Sequence, residues 1–372
     1  MTVSWIGPNI SPRLIRRSAL AVLLLGALAL VAPTPAAAAE EAPAEARRSS
    51  ERPLLWLVDG PTRLWIYGTL HTNDPRVLAR PPAVDLAFRQ SDGFFAEMDL
   101  DRDLLGALMQ VASLPEGETL SALLAPALRK RLVARLEALG QSLATYEGLE
   151  PWVLWFTLHA AVQGEAGGEG MPLDWRLFQE AKRTGKTIGG LESALEQFAP
   201  FAAMEREQQV RLVERSLEKL EQATPDDPTT ITPLERITRA WLAGDEIEIV
   251  ELTRQLSGAG DELDAELSER LLDRRNERMA VRLAAISRVS RGRTLFVAVG
   301  AAHLAGPRGL LALLEAHGFE ARRVIDVDEV RRLAPRSRPG APCAPPPCPP
   351  PPPCRPRPRC GPFGLPLPPF VR

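Results

Sequence analysis

The chain has 372 residues, enough for one large domain or two modest ones with an ample core. A hydrophobic content of 45% and a charged content of 25% are ordinary for a globular protein. The formal net charge is -2, and no basic stripe with interleaved aromatic residues occurs in the sequence, so we expect no nucleic acid as the main partner.

Residues 1–39 have the pattern of a signal peptide. Arg13, Arg16 and Arg17 form a positive segment in front of the apolar run ALAVLLLGALALVA. Small residues at 37–39 then provide a cleavage site. We therefore expect an exported protein, periplasmic or extracellular. The alternative is an uncleaved segment that associates with the membrane.

A polar linker is predicted at residues 40–53, and the folded domain at residues 54–333. The domain begins with two apolar segments on either side of DGPT, which is typical of a β-hairpin. The segment PPAVDLAFRQ predicts a short helix, because prolines are favoured where a helix starts. GFFAEMDL then predicts a short apolar strand that carries Glu97.

The middle of the chain, from Asp101 to about Arg291, is mostly helical by pattern. Apolar residues recur at i, i+3 and i+4 in PALRKRLVARLEALG, and similar segments follow. TIGGLE interrupts them as a brief strand or turn. LDAELSERLLDRRNERMAVRLAAISRV predicts one long amphipathic helix with Arg275 and Asn276 in its middle.

The last part of the domain repeats the pattern of the first. TLFVAVG predicts a strand, RGLLALLEAHG a helix that ends at Gly318, and ARRVIDV a closing strand. The order strand, GxxH, loop, helix, strand thus occurs near residues 63–98 and again near 294–327. We predict an α/β (α+β) fold in which these two quasi-repeats join into one central sheet, with a large helical insertion between them.

Residues 334–372 form a low-complexity tail rich in proline and cysteine. Polyproline segments favour an extended chain with little capacity to bury a core, so we predict a disordered tail. Export permits disulfides, but the proline spacing suits neither close pairing nor a compact zinc site. No pairing is assigned to its four cysteines, Cys343, Cys348, Cys354 and Cys360.

Two of the four histidines, His71 and His303, end the two GxxH motifs. Gly68 and Gly300, three residues earlier, allow close packing or unusual dihedral angles. If the two repeats pair, both histidines reach the rim of one sheet, where ligands bind in open α/β folds, with Glu97 on a neighbouring strand. Two imidazoles and a carboxylate suit a divalent metal with a position left for water.

Each signal has a simpler structural explanation. A single histidine after a strand is more often a hydrogen-bonding group than a ligand, although two in matching contexts favour a function. The RRN segment could be an exposed charged helix face. The sequence also lacks an H-E-x-x-H helix, so this spacing alone does not predict a zinc peptidase.

Several segments together resemble the TraB/GumN family, which includes the Tiki-type proteases. The resemblance covers about residues 54–327 and suggests that the predicted domain is TraB/GumN-like. Singly the motifs are weak, but paired GxxH motifs with a glutamate between them and an Arg-Asn element before the second are specific as a set. The matching segments are WIYGTLH, FFAEMDL, MPLDWRLFQEAKRTGKTIGGLESALEQ, RRNERMAVRL and FVAVGAAHLAGPRGLLALLEAHGFEARRV.

The resemblance implies a metal-dependent hydrolase, since Tiki members are Mn- or Co-supported endopeptidases. We therefore expect a peptide or protein substrate and a divalent metal, with Mn, Co and Zn left open. It implies that His71 and His303 are metal ligands or proton-transfer residues. Glu97 would be a ligand or the general base.

For the Arg-Asn element, the resemblance implies that Arg275, or its neighbour Arg274, stabilises an oxyanion and that Asn276 supports it. Asp174 and Lys186 also match, but both are ordinary helix-end residues by pattern. Further matches without an assigned role are Glu192 and Gln197, and His159 is predicted to be a core or interfacial residue.

Two rival functions remain open. The same crevice could belong to an envelope protein that binds a metal, haem or a peptide without turnover. Alternatively, the GxxH turns could only stabilise the sheet, and the proline-rich tail could carry an interaction.

Overall fold

The structure is a computed structural model. Predictions for the signal peptide, for most of the linker and for the tail with its cysteines lie outside the residues that it describes. Those residues are 51–99, 104–163, 171–222, 231–256 and 262–333.

A mixed six-stranded sheet forms the centre of the domain. Its strands are β1 (Leu55–Asp59), β2 (Arg63–Thr69), β3 (Gly93–Met98), β4 (Thr187–Glu192), β5 (Thr294–Gly300) and β6 (Glu320–Arg323). Their order across the sheet is β4-β3-β5-β2-β1-β6. The β1–β2 hairpin is antiparallel and β6 pairs antiparallel with β1, whereas β2, β5, β3 and β4 are all parallel.

The two GxxH strands, β2 and β5, are direct neighbours. In their register Tyr67 faces Ala298 and Thr69 faces Gly300. Both strands are almost completely buried, as expected for parallel strands covered on both faces. The prediction that the two repeats join into one sheet is therefore confirmed. Since parallel strands end at the same edge, both GxxH turns lie side by side.

Helices cover the sheet and build the insertion. None of those in the described ranges has the length and apolar character needed to cross a membrane. The helices are α1 (Pro75–Leu78), α2 (Pro82–Gln90), α3 (Leu104–Ala112), α4 (Leu120–Leu123), α5 (Pro126–Ala138), α6 (Pro151–Gln163), α7 (Leu173–Arg183), α8 (Ala194–Ala202), α9 (Arg206–Gln222), α10 (Pro233–Ala243), α11 (Glu246–Leu256), α12 (Glu262–Ser268), α13 (Arg274–Val289), α14 (Leu310–Ala316) and α15 (Val327–Arg332).

The insertion has a hydrophobic core of its own, separate from the core of the sheet. Trp152 stacks on Phe198 and Phe201 in it, and α6 packs along α9. Trp175 of α7 packs against both cores. TIGGLE is a strand, β4, and it lies at the sheet edge beside β3. The predicted helical insertion between the repeats is thus confirmed.

The predicted long helix contains a π-helical turn, Glu269–Asp273, between α12 and α13. Its backbone hydrogen bond runs from the Arg274 N–H to the Glu269 carbonyl. A π-turn adds one residue to the helix and rotates the residues after it, and such turns are frequent at functional sites. Here the turn is followed by Arg274 and then by Arg275 and Asn276, and the last two are buried.

Gly68 is required by close packing at the end of β2. A methyl group there would lie 2.6 Å from Leu304 Cδ1 and 3.1 Å from Leu54 Cβ. The Gly68 N–H donates to the Leu54 carbonyl, and its own carbonyl accepts from Trp241 Nε1 at 2.9 Å. These contacts fix the backbone three residues before His71.

Candidate metal centre

Three predicted site residues come together around Gly300. A methyl group on Gly300 would lie 3.0 Å from Glu97 Oε1, and 3.6 Å from both His71 Nε2 and His303 Cδ2. Strand β2 leads into His71, and β5 leads through a 3-10 turn (Ala301–His303) into His303. Glu97 is on β3, the other neighbour of β5. The sheet order therefore builds this cluster.

Glu97 is a buried carboxylate with well-defined partners. Its Oε1 accepts the Gly300 N–H at 2.5 Å and lies 3.6 Å from His303 Nε2, and its Oε2 accepts from Arg275 Nη2 at 2.7 Å. Burial alone raises the pKa of Glu97, but the His303 ring when it is protonated, the charges of Arg275 and His71, and the Gly300 amide lower it well below its usual range. Glu97 is therefore ionised at neutral pH.

Arg275 is the central cation of the cluster. It donates from Nε to Glu192 and from Nη2 to Gln197, each at 2.7 Å, in addition to its bond to Glu97. Burial lowers the pKa of Arg275, but Glu97 and Glu192 outweigh burial and raise it, so the guanidinium stays charged. Of the two arginines that the resemblance allowed, the structure places Arg275 in the cluster. The side chain of Arg274 is 55% exposed and pairs with Glu269.

His71 is held through its Nδ1 atom. Asp174 Oδ2 lies 2.7 Å from this nitrogen, and the Thr69 hydroxyl donates to Asp174 Oδ1 at 2.5 Å. Attraction to the Asp174 carboxylate raises the pKa of His71 to about 9. The His71 side chain is 62% exposed, so solvent reaches the ring.

His303 is held in the same way, but by an amide. Asn276 Nδ2 donates to the Arg308 carbonyl at 2.8 Å, which turns Asn276 Oδ1 toward His303 Nδ1 at 2.6 Å. Because an amide oxygen only accepts, Nδ1 carries the proton and Nε2 keeps its lone pair. Burial lowers the pKa of His303 to about 4, so the ring is neutral at neutral pH.

The donor chemistry of this cluster fits a divalent metal. Metal-binding histidines usually donate their other ring N–H to a neighbouring group, and both His71 and His303 have that partner at Nδ1. Two Nε2 atoms and the Glu97 carboxylate are ligands that Mn, Co or Zn accept. In the described part of the chain, no group of three or more His, Cys, Asp or Glu side chains, this cluster included, has the arrangement of a metal site as it stands.

Sequence reasoning gave no site role to three residues that the structure places in this cluster: Asp174, Glu192 and Gln197. Asp174 looked like an ordinary first-turn acid, and it is in the first turn of α7, yet it also holds His71. Glu192 is the last residue of β4 and Glu97 is next to the last residue of β3, so a carboxylate near a strand end is the signal that could have identified Glu192.

Lys186 and His159, which the sequence also offered as candidates, make contacts outside this cluster. Lys186 Nζ donates to the Ser91 carbonyl at 2.5 Å, near the end of α2. His159 stacks on Trp155 with ring centroids 4.8 Å apart, and burial lowers its pKa to about 4. Both arrangements agree with the structural roles predicted for them.

Replacing Asp174 by asparagine should return the pKa of His71 from about 9 towards its ordinary value of 6.5. The substitution removes the negative charge but keeps a side chain of similar shape. The His71 ring should then be mostly neutral rather than protonated at pH 7.5. A pH titration of the imidazole signals by NMR measures this, with His317, the residue that follows α14, as the internal control. An unchanged titration of His71 would contradict the role given to Asp174.

The model of the TraB/PrgY/gumN family matches residues 54–323. Among relatives, metalloprotease TIKI1 of Danio rerio is 25% identical over 72% of this chain and 62% of its own length. Metalloprotease TIKI2 of Xenopus tropicalis is 25% identical over 77% of this chain and 62% of its own length.

Metalloprotease TIKI1 of Homo sapiens is 27% identical over 80% of this chain and 68% of its own length. The chain thus spans roughly three fifths to two thirds of the length of these relatives. No solved structure matches the chain. Since the family match covers nearly all of the sheet and its insertion, the chain belongs to the TraB/PrgY/gumN family.

Proposed function

We propose that this chain is an exported metal-dependent peptidase in which His71, His303 and Glu97 hold a divalent metal, Mn, Co or Zn. The observation that carries the proposal is that both histidines are fixed through Nδ1 and meet Glu97 beside Gly300. The metalloprotease relatives support the class of reaction. Export rests on the signal peptide expected at residues 1–39.

A divalent metal, when bound, supplies a water of lowered pKa and polarises the carbonyl of the scissile amide. Glu97 suits the role of a ligand better than that of a general base, because a base works best with a pKa near the working pH and the pKa of Glu97 is far lower. His71 is protonated at neutral pH without metal, so it must release a proton to become a ligand. Metal affinity should therefore rise between pH 7 and pH 9.

Arg275 is assigned to holding Glu97. Its Nε and Nη2 atoms already donate to Glu192, Glu97 and Gln197, so these two atoms could contact an oxyanion only in exchange for one of the three. A buried cation between two carboxylates keeps both ionised and fixes the direction of Glu97. Asn276 in turn orients His303.

The exposed side of the cluster is where a polypeptide would enter. The His71 side chain is 62% exposed, whereas those of His303 and Glu97 are 5% and 9% exposed. A substrate backbone would therefore meet His71 first, with the two buried ligands behind it. This arrangement suits a peptide or protein substrate on an open surface.

The proposal is tested by peptide cleavage. The full chain, loaded in turn with Mn²⁺, Co²⁺ and Zn²⁺, is incubated with a pool of quenched fluorescent peptides of mixed sequence. We expect cleavage that a chelator abolishes. The Glu97→Gln variant should lose about 100-fold or more of the rate, because the amide keeps the shape but not the charge of the ligand.

The control for this assay is Glu196→Gln, which alters a partly exposed glutamate that pairs with Arg282 at the start of α8. Its cleavage rate should match wild type. Metal binding without any cleavage would favour the non-catalytic binding protein. Cleavage that survives Glu97→Gln would contradict the role of Glu97.

A further inference from the structure

Asp273, the last residue of the π-helical turn, is a buried acid held by two arginines. Its side chain is 8% exposed. Arg254 Nη2 of α11 donates to Oδ1 at 2.8 Å, and Arg308 Nη1 donates to Oδ2 at 3.0 Å. Such a pair of charge-assisted hydrogen bonds fixes the positions of all three side chains. The next two helical residues after Arg274 are Arg275 and Asn276 of the candidate centre.

Arg308 connects this acid to the His303 turn. It lies in the loop between the 3-10 turn of His303 and α14. While its side chain binds Asp273, its backbone carbonyl accepts from Asn276 Nδ2 at 2.8 Å. Helix α11, which carries Arg254, also packs against the 3-10 turn. Asp273 therefore fixes the loop to α13 at the point where Asn276 donates to the Arg308 carbonyl.

We propose that Asp273 and Arg308 are positioning residues that select the ring tautomer of His303. The Asp273–Arg308 ion pair holds the Arg308 carbonyl, the carbonyl orients the Asn276 amide, and the amide oxygen requires a proton on His303 Nδ1. The hydrogen bond at one ring nitrogen decides which nitrogen is protonated. In water a neutral histidine prefers the Nε2–H form. In that form Nε2 has no free lone pair with which to bind a metal.

Without the ion pair, the Asn276 amide can rotate away from His303 and the ring should move towards the Nε2–H form. A structural role alone would not change which nitrogen carries the proton. The tautomer is a property of the metal-free protein, so this inference is tested separately from peptidase activity.

The test is NMR of the full chain labelled with ¹⁵N in its four histidines, recorded without metal at pH 7.5. The shifts distinguish protonated from unprotonated ring nitrogens, and a His303→Gln variant assigns the signals. Wild type should show His303 as Nδ1–H. Arg308→Ala, which replaces a side chain that is 43% exposed, should give a mixture or the Nε2–H form.

Three further variants complete the design. Asp273→Asn should shift the tautomer as Arg308→Ala does. Arg308→Lys should retain wild-type signals, because lysine still pairs with Asp273. Glu277→Gln is the matched control: it removes an exposed partner of Arg308, bound at 2.9 Å, and leaves Asp273 in place.

Two results would overturn the inference. One is an unchanged Nδ1–H signal in both Arg308→Ala and Asp273→Asn when circular dichroism shows native helix content. The other is a shift in Glu277→Gln as large as that in Arg308→Ala, since it would remove any special role for Asp273.

Discussion

Replacing Arg275 by methionine should lower the free energy of unfolding by about 3–5 kcal/mol. The substitution leaves two buried carboxylates, Glu97 and Glu192, without the cation between them, and their side chains are 9% and 0% exposed. Methionine fills much of the volume, so the loss comes from unpaired charge rather than from a cavity. Urea unfolding at neutral pH, followed by circular dichroism, measures the change.

The adjacent arginine provides the control. Arg274→Met removes an exposed side chain that pairs with Glu269 at the surface, so the free energy of unfolding should change by no more than about 0.5 kcal/mol. Equal effects of the two substitutions would contradict the central position of Arg275.

Replacing Gly300 by alanine should weaken metal binding by about 100-fold while the fold is kept. The backbone of Gly300, with φ -55 and ψ 136, is one that alanine adopts without strain. The new methyl group, however, would lie 3.0 Å from Glu97 Oε1 and fill the space that His71 and His303 border. Calorimetric titration with Mn²⁺ and Co²⁺ measures the affinity.

Gly148→Ala is the matched control for this substitution. In the part of the chain that the structure describes, a methyl group at Gly148 would have no atom within 4 Å. Its metal affinity should equal that of wild type. If Gly300→Ala also binds metal as wild type does, the metal does not lie in this space.

The sequence pattern predicted those helices and strands that are determined by residues close together in the chain. The hairpin, the two GxxH strands and the strand of Glu97 all have apolar runs closed by turn residues. The joining of the two repeats followed from their similarity and from the instability of an isolated two-stranded unit. The place of β4 beside β3 could not be predicted, because that pairing spans the helical insertion and no local period encodes it.

The π-turn was also beyond local pattern. A single extra residue hardly disturbs the apolar period of a long helix, so Glu269–Asp273 looked like regular helix. Yet this turn precedes Arg275 and Asn276, and it includes the acid that fixes the Arg308 loop.

In the site, the strand-end signal identified His71, His303 and Glu97, because a parallel sheet places such positions together. The orienting partners depend on tertiary contacts instead. Asp174 lies 103 positions after His71, and a helix dipole explains an acid there equally well. The tautomer of His303 depends on the position of one backbone carbonyl. The residue types in a sequence do not show where a backbone carbonyl lies.

The most direct test of the central claim is metal titration of the full chain against the His71→Ala/His303→Ala double variant. We predict that wild type binds stoichiometric Mn²⁺ or Co²⁺ and that the double variant, with native circular dichroism, binds none. Undiminished binding by the double variant would contradict the claim that the two GxxH histidines form one metal site. So would the absence of binding by wild type to Mn²⁺, Co²⁺ and Zn²⁺.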